Sequence, residues 1–387
     1  MRYIILHVIL FLFCLTSVSQ PMIGDANATR KTKSLYTNLQ FLSANGIMFG
    51  HQDDLSYGAK WWAVPNRSDV LETTGSYPAV FGWDLGGLHT DRNLDSVAFT
   101  DIKKGIIKAY KMGGINTISW HIFHPLDTSS SWDKKAEVKD ILPGGQAHEA
   151  YLKQLDQLAS FFNSCKAGFF NKIPIVFRPF HEHNGNWFWW GKGNCTEQEY
   201  IELWQFTVDY LKITKKLHQL IYAYSPDRSR INLDSGFVDY LYGYPGDDYV
   251  DIIGLDNYWD TGHGHNRATM RQQREDLKKS VILIDSIAIV KNKIAALTET
   301  GNNGQTIENW YTNTLLNPLL EITPTPQIAW VLVWRNGSTE NFFVPYKGQK
   351  NEGDFLSFYK LPATLFLKNI KNPYSRRFNK ILKEETL

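Results

Sequence analysis

A short apolar segment runs directly into polar side chains between residues 173 and 182, in the order Ile173-Pro174-Ile175-Val176-Phe177-Arg178-Pro179-Phe180-His181-Glu182. The first half is rich in β-branched and aromatic residues, which predicts a buried strand. The second half brings an arginine, a histidine and a glutamate to the position where that strand ends. This segment therefore predicts a strand that delivers reactive side chains to one edge of a sheet.

Seven further apolar, β-rich segments recur along the chain. They are Gly46-Ile47-Met48-Phe49-Gly50, Ala79-Val80-Phe81-Gly82-Trp83, Ile115-Asn116-Thr117-Ile118-Ser119-Trp120, Leu220-Ile221-Tyr222-Ala223-Tyr224, Val250-Asp251-Ile252-Ile253-Gly254, Ile294-Ala295-Ala296-Leu297-Thr298 and Ile328-Ala329-Trp330-Val331-Leu332-Val333. Helical stretches such as residues 200–216 and 277–291 lie between them. Alternating strands and helices pair in parallel through right-handed crossovers, so eight undivided units predict a single-domain (β/α)8 TIM barrel. No Gly-x-Gly-x-x-Gly motif follows the first strand, which argues against a dinucleotide-binding sheet.

In such a barrel the active site lies at the carboxyl ends of the strands. Nearly every predicted strand brings a Trp, Tyr, His or carboxylate to that rim, and two glutamates stand out, Glu182 after the fourth strand and Glu299 after the seventh. Two carboxyl groups on opposite sides of a sugar bond are the minimum equipment for glycoside hydrolysis, with retention at a separation of about 5–5.5 Å and inversion at about 6.5–9.5 Å. Taken singly, either glutamate could instead be an ion-pair partner, for instance of Arg178.

The segment around Glu182 carries a longer motif, Phe177-Arg178-Pro179-Phe180-His181-Glu182-His183-Asn184-Gly185-Asn186-Trp187-Phe188-Trp189-Trp190-Gly191. It resembles the signature of glycoside hydrolase family 26, a (β/α)8 family of glycoside hydrolase clan A. Further motifs extend the resemblance over the barrel: Ser119-Trp120-His121, Leu297-Thr298-Glu299-Thr300-Gly301 and Val333-Trp334-Arg335. The wider clan usually has an asparagine before the acid/base, whereas here, as in family 26, the preceding residue is His181.

The resemblance implies Glu182 as the catalytic acid/base and Glu299 as the nucleophile. It also implies a set of substrate-binding residues: His121, His181, Trp187, Tyr258, Trp334 and Arg335, together with Trp83, Asp84 and Tyr224, which lie in shorter motifs. Among them, Trp187 would stack on a leaving-side sugar and Tyr258 would orient Glu299. For double displacement Glu182 must start protonated and Glu299 ionised, so we expect their surroundings to separate the two pKa values.

The implied activity is that of a retaining endo-β-1,4-mannanase acting on mannan, glucomannan or galactomannan. Exo-acting release of mannobiose remains open, as do β-1,3-xylanase and mixed-linkage β-glucanase activities of the same family. A non-catalytic sugar-binding barrel would need one glutamate replaced, and a metal-dependent carbohydrate esterase would need a ligand set that the sequence does not offer.

Composition fits a neutral polysaccharide as partner. The 41 basic and 39 acidic side chains leave a formal net charge of +2 without a basic stripe, which argues against nucleic acid and anionic membranes as partners. The pairs His181-x-His183 and His263-x-His265 lack helical metal-ligand spacing and a thiolate partner, so we expect no metal and no cofactor. We expect a monomer that binds mannan or mannooligosaccharides.

The N-terminus is typical of a signal peptide. Arg2 precedes an apolar run over residues 4–15, and Ser17-Val18-Ser19 offers a small-x-small cleavage site before Gln20. The run is too short to span a membrane. We therefore expect residues 1–19 to be removed, residues 20–387 to form the catalytic domain, and the protein to be exported to the periplasm or the outside without a lipid anchor. The two remaining cysteines, Cys165 and Cys195, are expected at opposite ends of one strand, which favours unpaired thiols.

Overall fold

A computed structural model describes residues 23–134, 138–376 and 378 of the 387-residue chain. The predicted signal peptide, residues 1–19, lies outside the described residues. Eight parallel strands form the centre of the fold: β1 Ile47–Gln52, β2 Val80–Asp84, β3 Ile115–Trp120, β4 Ile175–Pro179, β5 Leu220–Tyr224, β6 Ile252–Asp256, β7 Ile294–Thr300 and β8 Ile328–Val333. Each strand pairs with the next, and β8 pairs in parallel with β1, in the register Met48 to Trp330. The sheet is therefore closed, and the prediction of a (β/α)8 barrel is confirmed.

Helices surround the barrel and connect its strands. They are α1 Arg30–Ser43, α2 Asp69–Thr74, α3 Phe99–Met112, α4 Val138–Ile141, α5 His148–Ser164, α6 Glu197–Asp209, α7 Met270–Lys291, α8 Asn317–Leu320 and α9 Glu352–Lys360. Two of the connecting helices begin at threonine caps: Thr196 closes a capping box with Glu199, and Thr269 accepts from the backbone of Gln272. None of the helices within the described residues combines the length and the apolar character needed to cross a bilayer.

Small elements complete the two ends of the barrel. A two-stranded hairpin, Tyr57–Gly58 with Trp61–Trp62, follows β1, and the short strand Thr364–Leu365 pairs with the start of β1. Single helical turns lie at Arg228–Arg230, Trp259–Thr261, Asn303–Gln305 and Leu367–Asn369, and wider π turns at Tyr210–Thr214 and Trp310–Leu316. The hairpin and the turns at Arg228–Arg230, Trp259–Thr261 and Asn303–Gln305 each follow a barrel strand, so they add to the rim at the carboxyl ends.

The eight strands are buried along their whole length, as expected of parallel strands covered on both faces. One apolar cluster lies between the strands and the outer helices, and a second fills the barrel interior. The second cluster continues into α1, whose Leu35, Leu39 and Leu42 pack against residues at the beginnings of the strands. The hydroxyl of Tyr36 donates to the carbonyl of Asp251, just before β6, at 2.9 Å. Helix α1 therefore closes the amino-terminal end of the barrel, and the opposite end remains open for chemistry.

The two cysteines of the described chain are free thiols. Cys165 is buried at the end of α5, and Cys195 is partly buried in the loop after β4. Burial raises the pKa of both thiols to about 12. Both side chains are therefore protonated at neutral pH and poor nucleophiles.

Helix α1 provides a stability test of the barrel core. Leu39→Ala removes a fully buried side chain from the interior cluster, and we expect a loss of about 2–5 kcal/mol in the free energy of unfolding. Urea unfolding followed by circular dichroism measures the change. Thr37→Ala, at an exposed position of the same helix, is the control and should change stability by less than about 0.5 kcal/mol. Equal stability of the two variants would show that α1 does not contribute to the barrel core.

Candidate active site

The carboxylate of Glu299 is held at both oxygens. It lies near the end of β7, and its side chain is buried. Arg178, at the end of β4, donates a hydrogen bond to Oε1, and the hydroxyl of Tyr258 donates to Oε2 at 2.9 Å. The other terminal nitrogen of Arg178 donates to Oδ2 of Asp256 at 2.7 Å. Glu299 is therefore fixed in orientation beside a positive charge.

Burial disfavours the charge on Arg178, but Asp256 and Glu299 outweigh that effect, so the pKa of Arg178 lies above its ordinary value.

The contacts of Arg178 with Asp256 and Glu299 also bear on whether a metal could bind. Ligand atoms of His181, Asp256 and Glu299 lie within 4.8 Å of one another. Because the guanidinium of Arg178 already donates to both carboxylates of this group, a cation would meet a fixed positive charge there. The chemistry of the donor set thus does not favour a metal at this point.

Glu182 lies in a strained turn beyond β4. Its φ angle is +54°, and that of Phe180 is +48°, a region that side-chain-bearing residues rarely adopt and that costs about 1–3 kcal/mol per residue. The Glu182 N–H donates to the carbonyl of Ser225 at 2.8 Å. Two hydrogen bonds between Asn184 and the backbone of Asp227, 2.7 and 2.8 Å long, hold the turn against the next loop. The turn is therefore tied to the loop after β5.

The surroundings of the Glu182 carboxyl favour its protonated form. Burial raises its pKa well above the ordinary value, and the negative charges of Asp227, Asp256 and Glu299 raise it further. The indole Nε1 of Trp187 donates to Oε2 at 2.7 Å, which lowers the pKa by a smaller amount. Glu182 can therefore carry a proton at neutral pH, while its hydrogen bond to Trp187 fixes its position.

Two histidines meet at right angles next to these carboxyl groups. The rings of His121 and His181 are 4.5 Å apart at 84°. Nδ1 of His121 contacts Oδ2 of Asp84 at 2.7 Å. Burial lowers the pKa of His121, but Asp84 outweighs it and the pKa lies above the ordinary value. For His181, burial and the charge of Arg178 both lower the pKa well below its ordinary range. The surroundings thus favour the protonated form of His121 and the neutral form of His181.

Trp334 and Arg335 follow β8 on the other side of the histidines. Both are partly buried, and the Trp334 ring lies 6.3 Å from that of His121. Arg335 pairs with Asp95 at 2.9 Å and lies 6.0 Å from the ring of Tyr57. Trp334 therefore lies beside His121, and Arg335 is held by Asp95.

Three of the residues expected to bind substrate are buried in this structure. Trp83 is buried, donates from its indole to Asn116 at 2.9 Å and packs towards α3 against Gly105. Tyr224 is also buried, and its hydroxyl donates to the carbonyl of Tyr242 at 2.6 Å. Asp84 accepts from Ser119 and His121 and from the N–H of Gly86, at 2.6–2.7 Å. In this structure Trp83 and Tyr224 are core residues, and Asp84 positions His121; substrate contact by these three stays a prediction.

The structure adds residues to the site for which the sequence assigns no role in catalysis or sugar binding. Arg178 donates to Glu299, and its other terminal nitrogen donates to Asp256. Asp227 adds a negative charge near Glu182. Arg178 and Asp256 stand at the ends of predicted strands, which was the available signal for both. An open cavity of about 910 Å³ extends from Glu182 and Tyr258 past Trp187 to the loop after β6.

Comparisons with known proteins agree with this geometry. The sequence model described as glycosyl hydrolase family 26 matches residues 24–300. A mannan endo-1,4-beta-mannosidase of Bifidobacterium adolescentis is 35% identical over 363 residues, covering 87% of this chain and 34% of that protein. A mannan endo-1,4-beta-mannosidase of Bacillus subtilis is 30% identical over 257 residues, 61% of this chain and 66% of the relative. The chain thus spans about a third of the first relative's length and about two thirds of the second's.

Among solved structures, a GH26 beta-mannanase from Bacteroides ovatus is 35% identical with a TM-score of 0.82, covering 90% of this chain and 98% of that one. A modular endo-beta-1,4-mannanase from Cellulomonas fimi is 32% identical with a TM-score of 0.84, covering 92% of this chain and 80% of that one. The match of the family model to most of the chain, and the similarity of the whole barrel to these structures, lead to one conclusion. The chain belongs to glycosyl hydrolase family 26.

Proposed function

We propose that the chain is a retaining endo-acting hydrolase of β-1,4-mannosidic bonds in mannan, glucomannan or galactomannan. The observation that carries the proposal is the contrast between two carboxyl groups at one cleft. Glu182 is surrounded by negative charge and burial that favour its protonated form, whereas Glu299 accepts from Arg178 and Tyr258. Double displacement needs one carboxylic acid and one carboxylate. The relatives named as mannan endo-1,4-beta-mannosidases support mannan as the substrate.

In the first step, a carboxylate oxygen of Glu299 forms a bond with the anomeric carbon as the bond from that carbon to the leaving oxygen breaks. The proton of Glu182 moves to the leaving oxygen, so the departing chain leaves with a neutral hydroxyl. The hydrogen bonds from Arg178 and Tyr258 keep the carboxylate from rotating before attack. Holding the nucleophile in this way supplies part of the catalytic advantage through positioning.

In the second step, Glu182, now ionised, takes a proton from water as the water oxygen attacks the anomeric carbon. The bond between that carbon and Glu299 breaks, and two successive inversions give net retention. His121, His181 and Tyr258, together with Trp334 and Arg335, are the residues that we propose hold the sugars on the glycone side, and Trp187 contacts the leaving side. Aromatic faces and polar donors of this kind suit the mixed surface of a pyranose ring.

The two glutamates should respond differently to substitution. Glu299→Ala should abolish cleavage of both mannan and an aryl β-mannobioside with a good leaving group, because the covalent intermediate cannot form. Glu182→Ala should lose mannan activity but still release the activated aryl group in a first burst. Turnover then stalls, and added azide, which needs no base, should restore it and give a β-mannobiosyl azide.

Stopped-flow release of the aryl group and NMR of the azide product measure these outcomes. An α-azide from the Glu182 variant, or an equal loss of the burst in both variants, would contradict the assignment.

NMR of the products that the unmodified protein forms in the first minutes of reaction should show the β-anomer first. A side-by-side test of the unmodified protein decides between the proposed substrate and the two alternatives; the substrates are mannan, β-1,3-xylan, mixed-linkage glucan and mannohexaose. Release of mannobiose alone from mannan would indicate exo action.

The charge of Asp227 should shift the pH profile. Burial is the main cause of the raised pKa of Glu182, and Asp227 is the next. Asp227→Asn removes that negative charge while leaving an oxygen to accept from Ser229. Glu182 then ionises at lower pH, so the basic limb of kcat/KM for mannopentaose should move to lower pH. Asp156→Asn, at an exposed site on α5, is the control. A basic limb that stays in place or moves upward would contradict the role of Asp227.

We propose, from the sequence alone, that the protein is exported after removal of residues 1–19. The apolar run and the Ser17-Val18-Ser19 site support this proposal. Expression of the full chain in a bacterial host should yield a mature protein that begins near Gln20 and is recovered outside the cytoplasm. N-terminal sequencing that finds the apolar run retained, or mass spectrometry that finds a lipid on Cys14, contradicts it.

A further inference from the structure

Two segments contribute aromatic residues to the lining of the cavity beside Glu182. One carries Trp187, with the guanidinium of Arg230 5.4 Å from its ring. The other is the loop after β6, which contributes Trp259, His263 and His265. Because Glu182 is the proposed proton donor, the space next to it must receive the sugar whose oxygen is protonated, which is the leaving side of the substrate.

The loop after β6 presents three aromatic rings in succession. Trp259 and His263 have ring centroids 5.6 Å apart at 31°, and His263 and His265 have centroids 5.4 Å apart at 42°. Trp259 is partly exposed, and both histidines are exposed. We refer to Trp259, His263 and His265 as the aromatic shelf. An extended series of rings along an open cavity is suited to successive pyranose units.

The loop is fixed from behind. The carbonyl of Trp259 accepts from the side-chain amide of Asn266 at 2.9 Å, and the carbonyl of Thr261 accepts from Nε1 of Trp310 at 2.7 Å. Gly262 has a φ angle of +102°, and a β-carbon there would lie 2.1 Å from Cδ1 of Ile307. The positive φ favours glycine at this position, and the two hydrogen bonds stabilise the conformation of the loop. A surface that is ordered before binding loses less entropy when a ligand arrives.

The hydrogen bonding of His263 selects the tautomer of its neutral ring. The N–H of His265 donates to Nδ1 of His263 at 3.3 Å, so the neutral ring carries its proton on Nε2. Burial lowers the pKa of His263, and the neighbouring His265 lowers it further, which favours the neutral ring. A neutral ring with one N–H can stack on a sugar and also donate to one of its hydroxyls.

We propose that the aromatic shelf binds the neutral sugar units on the leaving side of the substrate, in the cavity that it shares with Trp187, and so sets where along a mannan chain the protein cuts. This inference rests on the proposed function. The same surface would receive a second sugar chain after the glycosyl-enzyme has formed. In that case the hydroxyl of the acceptor attacks the anomeric carbon in place of water, Glu182 takes its proton, and the bond to Glu299 breaks. Loss of the shelf should therefore reduce transfer to sugar acceptors relative to hydrolysis.

Two substrates distinguish sugar binding by the aromatic shelf from the catalytic steps. An aryl β-mannobioside with a dinitrophenyl leaving group places no sugar on the shelf, whereas mannopentaose does. Trp259→Ala and the double substitution His263→Ala with His265→Ala should each lower kcat/KM on mannopentaose by roughly tenfold. On the aryl substrate they should stay within about twofold of the unmodified protein. Mannohexaose cleaved in ¹⁸O-water should show a changed distribution of cut bonds, with a lower yield of transfer products.

Matched controls lie elsewhere on the same rim. Trp62→Ala changes a tryptophan that is 50% exposed on the hairpin after β1, and His89→Ala changes an exposed histidine after β2. Both should leave the cleavage pattern unchanged, and thermal melting checks that every variant is folded. If the shelf variants cleave mannopentaose normally, or lose both substrates equally, the shelf assignment is wrong. If the unmodified protein cleaves neither substrate, the proposed function fails and this inference fails with it.

Discussion

The buried guanidinium of Arg178 is the contact on which the site depends. It lies between the carboxylates of Asp256 and Glu299, and Ser225 accepts from the same nitrogen that reaches Asp256. Burial raises the pKa of Asp256 to about 7, against the lowering effect of Arg178. Removing one partner of a buried ion pair costs about 3–5 kcal/mol because the other charge is left without compensation. Arg178 therefore allows several acidic groups to lie together in a water-poor barrel mouth.

The backbone is adapted to this cluster at two points. Between β6 and β7 the register shifts by one residue, so that Asp256 faces Glu299 while Leu255 faces Leu297. The extra residue is Thr298, and a bulge of this kind redirects the side chains that follow it. The second point is the turn at Phe180 and Glu182, where two residues adopt positive φ. Both irregularities occur where a carboxyl group must face the cleft. The regular strands that precede them are rigid enough to hold the unfavourable backbone conformation in place.

The sequence predicted the eight strands and their order because hydrophobic segments and their spacing are local properties. It also identified the rim, since the carboxyl ends of parallel strands meet at one edge. It did not predict on which side of the sheet each rim residue lies. Successive side chains alternate faces, so Trp83 packs outward against α3 while its neighbour Asp84 reaches His121. The contacts of Arg178 join residues far apart in sequence, and the aromatic shelf shares its cavity with the distant Trp187, so no local pattern encodes either arrangement.

The charges around Glu182 also explain how one carboxyl group could serve both steps of the proposed cycle. Before attack, the negative charge of Glu299 is one of the causes that hold the pKa of Glu182 high. When Glu299 becomes an ester with the sugar, that charge disappears. The pKa of Glu182 must then fall, and the group that gave up a proton becomes able to take one from water. Asp227 and Asp256 remain in place and limit the fall, which keeps Glu182 basic enough to act. The change of role thus needs no movement of Glu182 itself, because the covalent state of Glu299 alters the field that acts on it.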